Sequence, residues 1–296
     1  MFHTLPAWIR QHLAALRTLL VLTVIFGIAY PLVITAIAQI PGLQHRADGS
    51  LIHEGGKVVG SAVIGQSFTD ANGNPIPKYF QSRPSDAGAG YDPTATSASN
   101  LGPESIVDTL PNPAVKGDTG SLSLLSQVCS RSLAVGRLEG VDGQRPYCTA
   151  DGLGAVLSVI HTNGLTGPVS KVVSVNQACP AKPFIATYDG VPVQCATYGG
   201  NYAIGRIVPV HGPGKPWPQN PVPPDAVTAS GSGLDPDISV DYADLQAPRV
   251  ARARNLPLAT VEHLISTNTS NRTLGFMGEP SVNVLQLNLA LDRLGT

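Results

Sequence analysis

The longest uncharged stretch of the chain lies near its N-terminus. No Lys, Arg, Asp or Glu occurs between Arg17 and Arg46, and residues 19–40 form an apolar run of 22 residues. An α-helix of that length rises roughly 30 Å, which matches the hydrocarbon core of a bilayer. The pattern therefore predicts one transmembrane helix over residues 19–40. Its membrane-anchor residues include Leu19, Gly27, Tyr30, Pro31 and Ile40.

A cleaved signal peptide is the alternative interpretation of this run. Ala36-Ile37-Ala38 has the small-x-small form that signal peptidase accepts, and Arg10 and Arg17 supply a basic region before the run. The run exceeds the usual apolar region of about 7–15 residues, however, which favours a retained anchor. Because residues 1–18 carry two arginines and no acid, the positive-inside bias places them in the cytoplasm. We therefore expect a single-pass protein with everything from Pro41 onward outside the cell membrane.

Beyond the anchor, the alternation of polar and apolar positions predicts a mixed α+β extracytoplasmic domain. Residues 50–68 form short strands around Gly55-Gly56, and Asp189-Gly190 between two apolar runs is a strong hairpin signal. The other predicted strands cover residues 155–161, 169–175, 184–188, 191–197 and 226–229. Predicted helices cover residues 121–138, 257–266 and 285–294. Another begins at Val240 with Ser239 as its cap, and Pro248 is expected to kink or restart it.

Composition narrows the class of protein. Charged residues make up 13% of the chain and the net charge is −1. A nucleic-acid-binding protein would show a clear basic excess, so no nucleic-acid partner is expected. The 31 glycines and 26 prolines indicate many turns and loops.

All four cysteines lie beyond the predicted anchor, on the oxidising side of the membrane. Their spacing lacks the paired short intervals of a zinc site, so no metal site is predicted. The disulfide candidates are Cys129, Cys148, Cys179 and Cys195, with three possible pairings.

The sequence shows no motif for catalysis. No nucleophile–histidine or acid–base spacing among the seven histidines rises above chance, and no complete phosphate-binding loop occurs. No catalytic residue is therefore predicted. An anchored exterior domain of this kind is more consistent with assisting a partner than with catalysing a reaction.

Short ungapped motifs in two blocks resemble the C subunit of Kdp-type potassium-transporting ATPases. The first block contains residues 30–31 (YP), 59–61 (VGS), 64–68 (IGQSF), 79–85 (YFQSRPS) and 99–103 (SNLGP). The second contains residues 227–239 (VTASGSGLDPDIS), 249–254 (RVARAR), 272–276 (RTLGF), 278–280 (GEP) and 282–292 (VNVLQLNLALD). The family pattern usually has glycine where Ser82 stands. The resemblance also implies that the anchor is retained.

The resemblance marks a set of family-motif residues as structural or interface positions. They are Gln66, Phe68, Arg83, Pro84, Asn100, Gly102, Ser230, Gly231, Gly233, Asp235, Arg249, Arg252, Asn283 and Asn288. Gly231 and Gly233 suit backbone angles or close approaches that other residues disfavour. Asp235 before a proline suits a turn. The arginines would pair either with acidic partners or with acids of this chain.

The resemblance implies an accessory subunit of a high-affinity, ATP-driven potassium-uptake pump in the cell membrane, and no enzyme by itself. Its partners would be the ATPase subunit and a channel-like K⁺-binding subunit, with the lipid bilayer around the anchor. The family is described as a catalytic chaperone and as nucleotide-binding. Direct contact with ATP conflicts with the predicted topology, because ATP lies inside the cell. ATP and K⁺ would then be handled by the complex, with no cofactor bound directly by this chain.

Residues 106–217 have no counterpart in the resemblance. Their pattern predicts a β-rich, disulfide-containing module, which is inserted into a family domain formed by residues 41–105 and 218–296. If this insertion contains a site that the motifs do not reveal, the chain has one alternative function. That alternative is a membrane-anchored extracytoplasmic enzyme or binding protein that acts alone.

Overall fold

The computed structural model describes residues 5–211 and 222–295 of the chain. The predicted boundary between residues 217 and 218 lies outside the described residues, as do the first four residues of the predicted cytoplasmic segment. The chain divides into two compact units, Met1–Val63 and Ile64–Thr296.

A long helix dominates the first unit. It consists of α1 (Ala7–Val24), a π-helical turn (Ile25–Ala29) and α2 (Tyr30–Ala38). The three segments together are long and apolar enough to cross a membrane, and none of their residues is buried within the chain. The apolar run therefore is helical, as predicted, although the helix begins well before residue 19.

The π-helical turn lies where Pro31 disturbs the helix. Proline lacks an amide hydrogen, and its ring crowds the carbonyl four residues earlier, which here belongs to Gly27. The wider turn over Ile25–Ala29 accommodates the proline without ending the helix. The helix ends at Ala38. Ile40 was predicted to lie within it and instead lies just beyond it, because the following proline disfavours helical angles at the residue before it.

A two-stranded hairpin completes the first unit. A short helix, α3 (Gln44–Ala47), precedes β1 (Leu51–Glu54), which pairs antiparallel with β2 (Lys57–Ser61). The turn consists of Gly55 and Gly56, whose φ angles of 56° and 77° are easily adopted by glycine. The short strands predicted around this glycine pair are confirmed.

A five-stranded sheet forms part of the second unit. Its strands are β3 (Val156–Asn163), β4 (Thr166–Ala178), β5 (Thr187–Tyr188), β6 (Val191–Ala196) and β7 (Arg206–Pro209). The order is β5-β6-β4-β3-β7, and β4 pairs with β6 in parallel while the other neighbours are antiparallel. Asp189 and Gly190 have φ angles of 47° and 77° between β5 and β6, which confirms the predicted hairpin.

Helices and a small sheet form the rest of the second unit. The elements are α4 (Leu124–Glu139), a 3₁₀ turn (Pro224–Ala226), β8 (Asp237–Ser239), α5 (Val240–Arg254), α6 (Leu258–Thr267), β9 (Thr269–Ser270), β10 (Ser281–Asn283) and α7 (Val284–Leu294). The main core joins α5, α6 and α7 with Phe80. Val128 and Val135 of α4 pack against this core. The helix at the start of the predicted insertion therefore shares a core with the family motifs.

Side-chain caps fix where three of these helices begin. Ser123, Ser239 and Asn283 each accept a hydrogen bond from the amide three residues later, at 3.2, 3.1 and 3.1 Å. Such caps satisfy amides that have no partner within the helix. The predicted start of α5 is confirmed, but the helix continues through Pro248 without a restart.

The strand predicted over residues 226–229 is wrong. The chain forms the 3₁₀ turn Pro224–Ala226 there and then continues without a strand. Two consecutive prolines, Pro223 and Pro224, fix the backbone angles at the start of that turn, and proline supplies no amide for a strand ladder.

Each disulfide joins two cysteines that are consecutive in the order of the four cysteines along the chain. Cys129 pairs with Cys148 and Cys179 with Cys195, at Cα–Cα separations of 5.5 and 5.1 Å. The first bridge ties α4 to the loop that precedes β3, and the second ties the end of β4 to β6. One of the three possible pairings is thereby selected.

Removing either bridge should destabilise the protein. The bridges close loops of 19 and 16 residues, so Cys129→Ala/Cys148→Ala or Cys179→Ala/Cys195→Ala should lower the free energy of unfolding by about 3 kcal/mol each. Chemical denaturation of the purified full chain in detergent micelles measures the change. Reduction of the wild-type chain with dithiothreitol should lower its midpoint as well. A variant that lacks both bridges is the control, because dithiothreitol should not shift the midpoint of that variant. An unchanged midpoint in the two-cysteine variants would contradict the prediction.

Candidate functional site

An extended segment, residues 79–85, lies at the centre of the second unit, where side-chain amides pair with its backbone. Phe80 N donates to Asn288 Oδ1 at 2.8 Å, and Asn288 Nδ2 donates to Phe80 O at 3.0 Å. Gln81 N donates to Gln246 Oε1 at 2.7 Å, and Gln246 Nε2 donates to Gln81 O at 3.1 Å. Each amide thus supplies the donor and acceptor that a neighbouring strand would offer. These contacts fasten the segment to α7 and α5.

Arg249 and Glu139 form a buried ion pair beside this segment. Arg249 Nε lies 3.0 Å from both carboxylate oxygens of Glu139, and the two side chains are 6% and 0% exposed. The remaining nitrogens of Arg249 donate to Pro77 O, to Tyr79 O and to Gln246 Oε1. Burial raises the pKa of Glu139, while the charge of Arg249 opposes that shift. The pair therefore connects α4, α5 and the extended segment in one network.

The other end of the extended segment is joined to the loop before β8. Arg83 lies 3.1 Å from Asp235, and Ser85 Oγ donates to Gly233 O at 2.6 Å. Gly233 has a φ of +71°, and a β-carbon there would lie 2.8 Å from Ala87 Cβ. Both the conformation and the close packing therefore require glycine. This is the role predicted for Gly233.

A pocket of about 540 Å³ opens between the extended segment and α4, and we call it the central pocket. Its lining comprises Ser67, Phe68, Thr69, Gly73, Pro75, Gln81, Ser82, Arg83, Pro84, Ser85, Gly90, Tyr91, Arg131, Ala134, Val135, Leu138, Ala226 and Tyr242. The family motifs supply one wall, and α4 of the predicted insertion supplies the other. The pocket is therefore shared by the two parts of the chain.

Burial raises the pKa of two tyrosine side chains that line the central pocket. Burial raises the pKa of Tyr91 to about 12, and its hydroxyl donates to Arg83 O at 2.8 Å. Burial also raises the pKa of Tyr242, and the charge of Glu139 adds to that shift. Both side chains remain protonated at neutral pH and offer hydroxyl groups for hydrogen bonding.

The structure brings together many of the predicted family-motif residues. Arg83 and Arg249 pair with acids of this chain, which selects the internal alternative for both, whereas Arg252 is exposed on α5. Phe68 and Pro84 line the central pocket, Gln66 O accepts a hydrogen bond from Ser82, and Asn283 caps α7. Ser230 Oγ accepts from Gly233 N. Asn100 and Gly102 do not line the central pocket and lie in the loop before residue 105.

Two of the predicted backbone roles are wrong. A β-carbon at Gly231 would have no atom within 4 Å, and its φ lies outside the left-handed region, so neither space nor conformation requires glycine there. Asp235 does not form a turn with the following proline and instead pairs with Arg83. The guanidinium supplies the partner that a turn amide would otherwise provide.

Several residues of the site were not predicted, among them Gln246, Glu139, Arg131, Tyr91 and Tyr242. Gln246 precedes Arg249 by three positions on α5, so helical spacing places both on one face. That spacing was an available signal. Glu139 and Arg131 lie in the segment without family motifs, and nothing in the sequence connects them to residues about a hundred positions away.

Two blocks of the chain match a known protein family. The family model described as KdpC, the c chain of K⁺-transporting ATPase, matches residues 12–109 and 210–293. The chain belongs to the KdpC family. The matched segments contain the extended segment, α5 and α7, so the polar network described above lies within the KdpC match except for Glu139.

Similar proteins include three bacterial chains named potassium-transporting ATPase KdpC subunit. The one from Mycobacterium tuberculosis (strain ATCC 25618 / H37Rv) is 38% identical over 285 residues, which is 96% of this chain and 99% of that protein. The one from Beijerinckia indica is 36% identical over 95% of this chain and 93% of that protein. The one from Streptomyces coelicolor is 36% identical over 96% and 93%. These alignments extend across residues 110–209, which the KdpC family model does not match.

Breaking the buried ion pair should destabilise the second unit. Glu139→Gln leaves the Arg249 guanidinium buried without a carboxylate, which should lower the free energy of unfolding by about 3–5 kcal/mol. Chemical denaturation of the full chain measures the loss. Glu262→Gln is the matched control, because Glu262 is exposed on α6 and its change should stay within about 0.5 kcal/mol. Equal effects of the two substitutions would show that the pair does not organise the site.

Proposed function

We propose that this chain is the accessory subunit of an ATP-driven potassium-uptake pump and has no catalytic activity of its own. The family match over residues 12–109 and 210–293 carries the proposal, together with relatives named potassium-transporting ATPase KdpC subunit. The polar network fits a supporting role, because its charged groups are used to hold the fold together. The alternative of an anchored enzyme or binding protein acting alone receives no support from the described residues.

The proposed partners are an ATPase subunit and a channel-like K⁺-binding subunit, which would carry out phosphorylation and ion conduction. The second unit would lie outside the membrane, near the external entrance for K⁺, while ATP is inside the cell. An effect of this chain on ATP use would then be a coupling through the assembled complex. Assembly of the complex, or control of the external entrance, is the proposed form of assistance.

An exposed apolar loop between β9 and β10 supplies a candidate contact with those partners. Leu274 and Phe276 are 79% and 71% exposed, although both belong to the family motif RTLGF. Leu274 has a φ of 55° and Gly275 a φ of 81°, and Thr273 bridges to Met277, so the loop is a tight turn. Large apolar side chains presented together at a surface are typical of protein contacts.

Substitutions in this loop should weaken assembly without unfolding the chain. Leu274→Ser/Phe276→Ser should lower recovery of the ATPase and channel-like subunits in a mild-detergent pull-down from potassium-starved cells. Growth at limiting K⁺ should fall in parallel in cells whose own copy is deleted. Leu165→Ser is the matched control: it removes a leucine that is 63% exposed but lies outside the KdpC match.

The outcomes separate the proposed function from the proposed contact. Recovery of the wild-type chain alone, from membranes that contain an intact pump, would overturn the accessory-subunit proposal. Normal recovery of both partners with the loop variant would reject only the loop as the contact. Full growth with a chain ending at residue 49 would show that the exterior part is dispensable.

The proposed orientation can be tested by cysteine accessibility. All four native cysteines are in disulfides, so an added cysteine supplies the free thiol. We expect Asn271→Cys in intact cells to react with a membrane-impermeant maleimide. Gln11→Cys should react only after permeabilisation, because residues 1–18 would face the cytoplasm. The reverse pattern would contradict the proposed topology.

A further inference from the structure

The central pocket has the dimensions and lining of a small-molecule site. Its volume of about 540 Å³ falls within the range of about 300–1,000 Å³ typical of such sites. Phe68, Val135 and Leu138 supply apolar surface on both walls. Polar side chains from different elements, among them Arg83, Arg131 and Tyr242, also line it, which suits fixing the orientation of one bound molecule.

The charged groups that line the central pocket are cationic. Among its lining residues in the described part of the chain, Arg83 and Arg131 are charged and there is no carboxylate. Arg131 donates to Val227 O and to Asp86 Oδ1, both at 3.3 Å, and its side chain is 25% exposed. These long contacts leave the guanidinium able to take a further acceptor from the pocket. Both arginines already pair with carboxylates outside the lining, Arg83 with Asp235 at 3.1 Å and Arg131 with Asp86 at 3.3 Å, so the pocket offers guanidinium donors to a ligand acceptor rather than an unpaired positive charge.

Tyr242 supplies a hydroxyl group that is available to a ligand. The residue is 3% exposed and lines the pocket, and its hydroxyl has no hydrogen-bond partner among the residues that the structure describes. Its amide, by contrast, is bonded to the cap Ser239. The fully buried side-chain atoms without a partner in the described residues are Arg83 Nε and Asp86 Oδ2, so the Tyr242 hydroxyl retains some accessibility. A ligand oxygen in the pocket would satisfy this hydroxyl.

We propose that the central pocket binds a small organic carboxylic acid with a compact apolar body. The carboxylate would be held by Arg131 and the Tyr242 hydroxyl, and the apolar body would pack against Phe68, Val135 and Leu138. A planar carboxylate suits a guanidinium because two of its N–H groups can donate in parallel. Such binding is a property of the isolated chain and does not depend on the proposed function.

Benzoate is a suitable probe, with benzamide as its neutral isostere and acetate as a carboxylate without the apolar body. Isothermal titration calorimetry of the purified full chain in micelles should show saturable binding of benzoate to one site in the millimolar range. Benzamide and acetate should each bind at least about tenfold more weakly, because each lacks one of the two features. Empty micelles measure any partition of the probe.

Variants locate the binding to the central pocket. Arg131→Gln should weaken benzoate binding about tenfold, and Tyr242→Phe should weaken it without lowering the unfolding midpoint. Arg137→Gln is the matched control, because Arg137 is exposed on α4 and does not line the pocket. Ala134→Trp, at an exposed position on the lining, should fill the pocket and abolish binding while the fold is kept.

Three results would overturn the proposal. One is the absence of saturable benzoate binding up to tens of millimolar by the folded wild-type chain. Another is equal binding of benzoate and benzamide. The third is unchanged benzoate binding by a folded Ala134→Trp variant, which would place the ligand elsewhere.

Discussion

The second unit depends on satisfying the backbone of a strand-like segment that has no neighbouring strand. A buried amide or carbonyl without a partner is costly, so Phe80 and Gln81 of this segment could not be buried unless other groups replaced a sheet ladder. Asn288 and Gln246 do so with one side chain each, because a carboxamide carries both a donor and an acceptor. With its backbone paired in this way, Phe80 is fully buried in the apolar core formed with the helices.

The same constraint explains why the two blocks of family motifs must be present together. The first block supplies the extended segment and the second supplies the helices that bind it, 165 and 208 residues away along the chain. The backbone groups of Phe80 and Gln81 in the first block are satisfied by side chains of the second block. The intervening segment also contributes Glu139, which occupies the guanidinium of Arg249 and thereby orients Gln246.

Local structure could be predicted from the sequence, whereas long-range pairing could not. Gly55-Gly56, Asp189-Gly190 and the cap Ser239 act over a few residues, so their patterns identified turns and a helix start correctly. The choice between internal and external partners for Arg83 and Arg249 was open, because their acids are 152 and 110 positions distant. Periodicity located α4 but could not show that it packs on the family core. The wrong strand near Ala226 came from apolar residues whose neighbouring prolines fixed a turn.

The helix from Ala7 to Ala38 has a mechanical consequence. Its 32 residues extend roughly 48 Å, against about 30 Å for the hydrocarbon core of a bilayer. In a bilayer, a helix of that length would tilt or continue past the surface, and Trp8 and Arg10 would suit the interface at the N-terminal end. Because the backbone is helical throughout, the segment behaves as a rod rather than a tether. A tilt applied to one end is carried to the other, and the π-helical turn before Pro31 is where such a rod bends most easily.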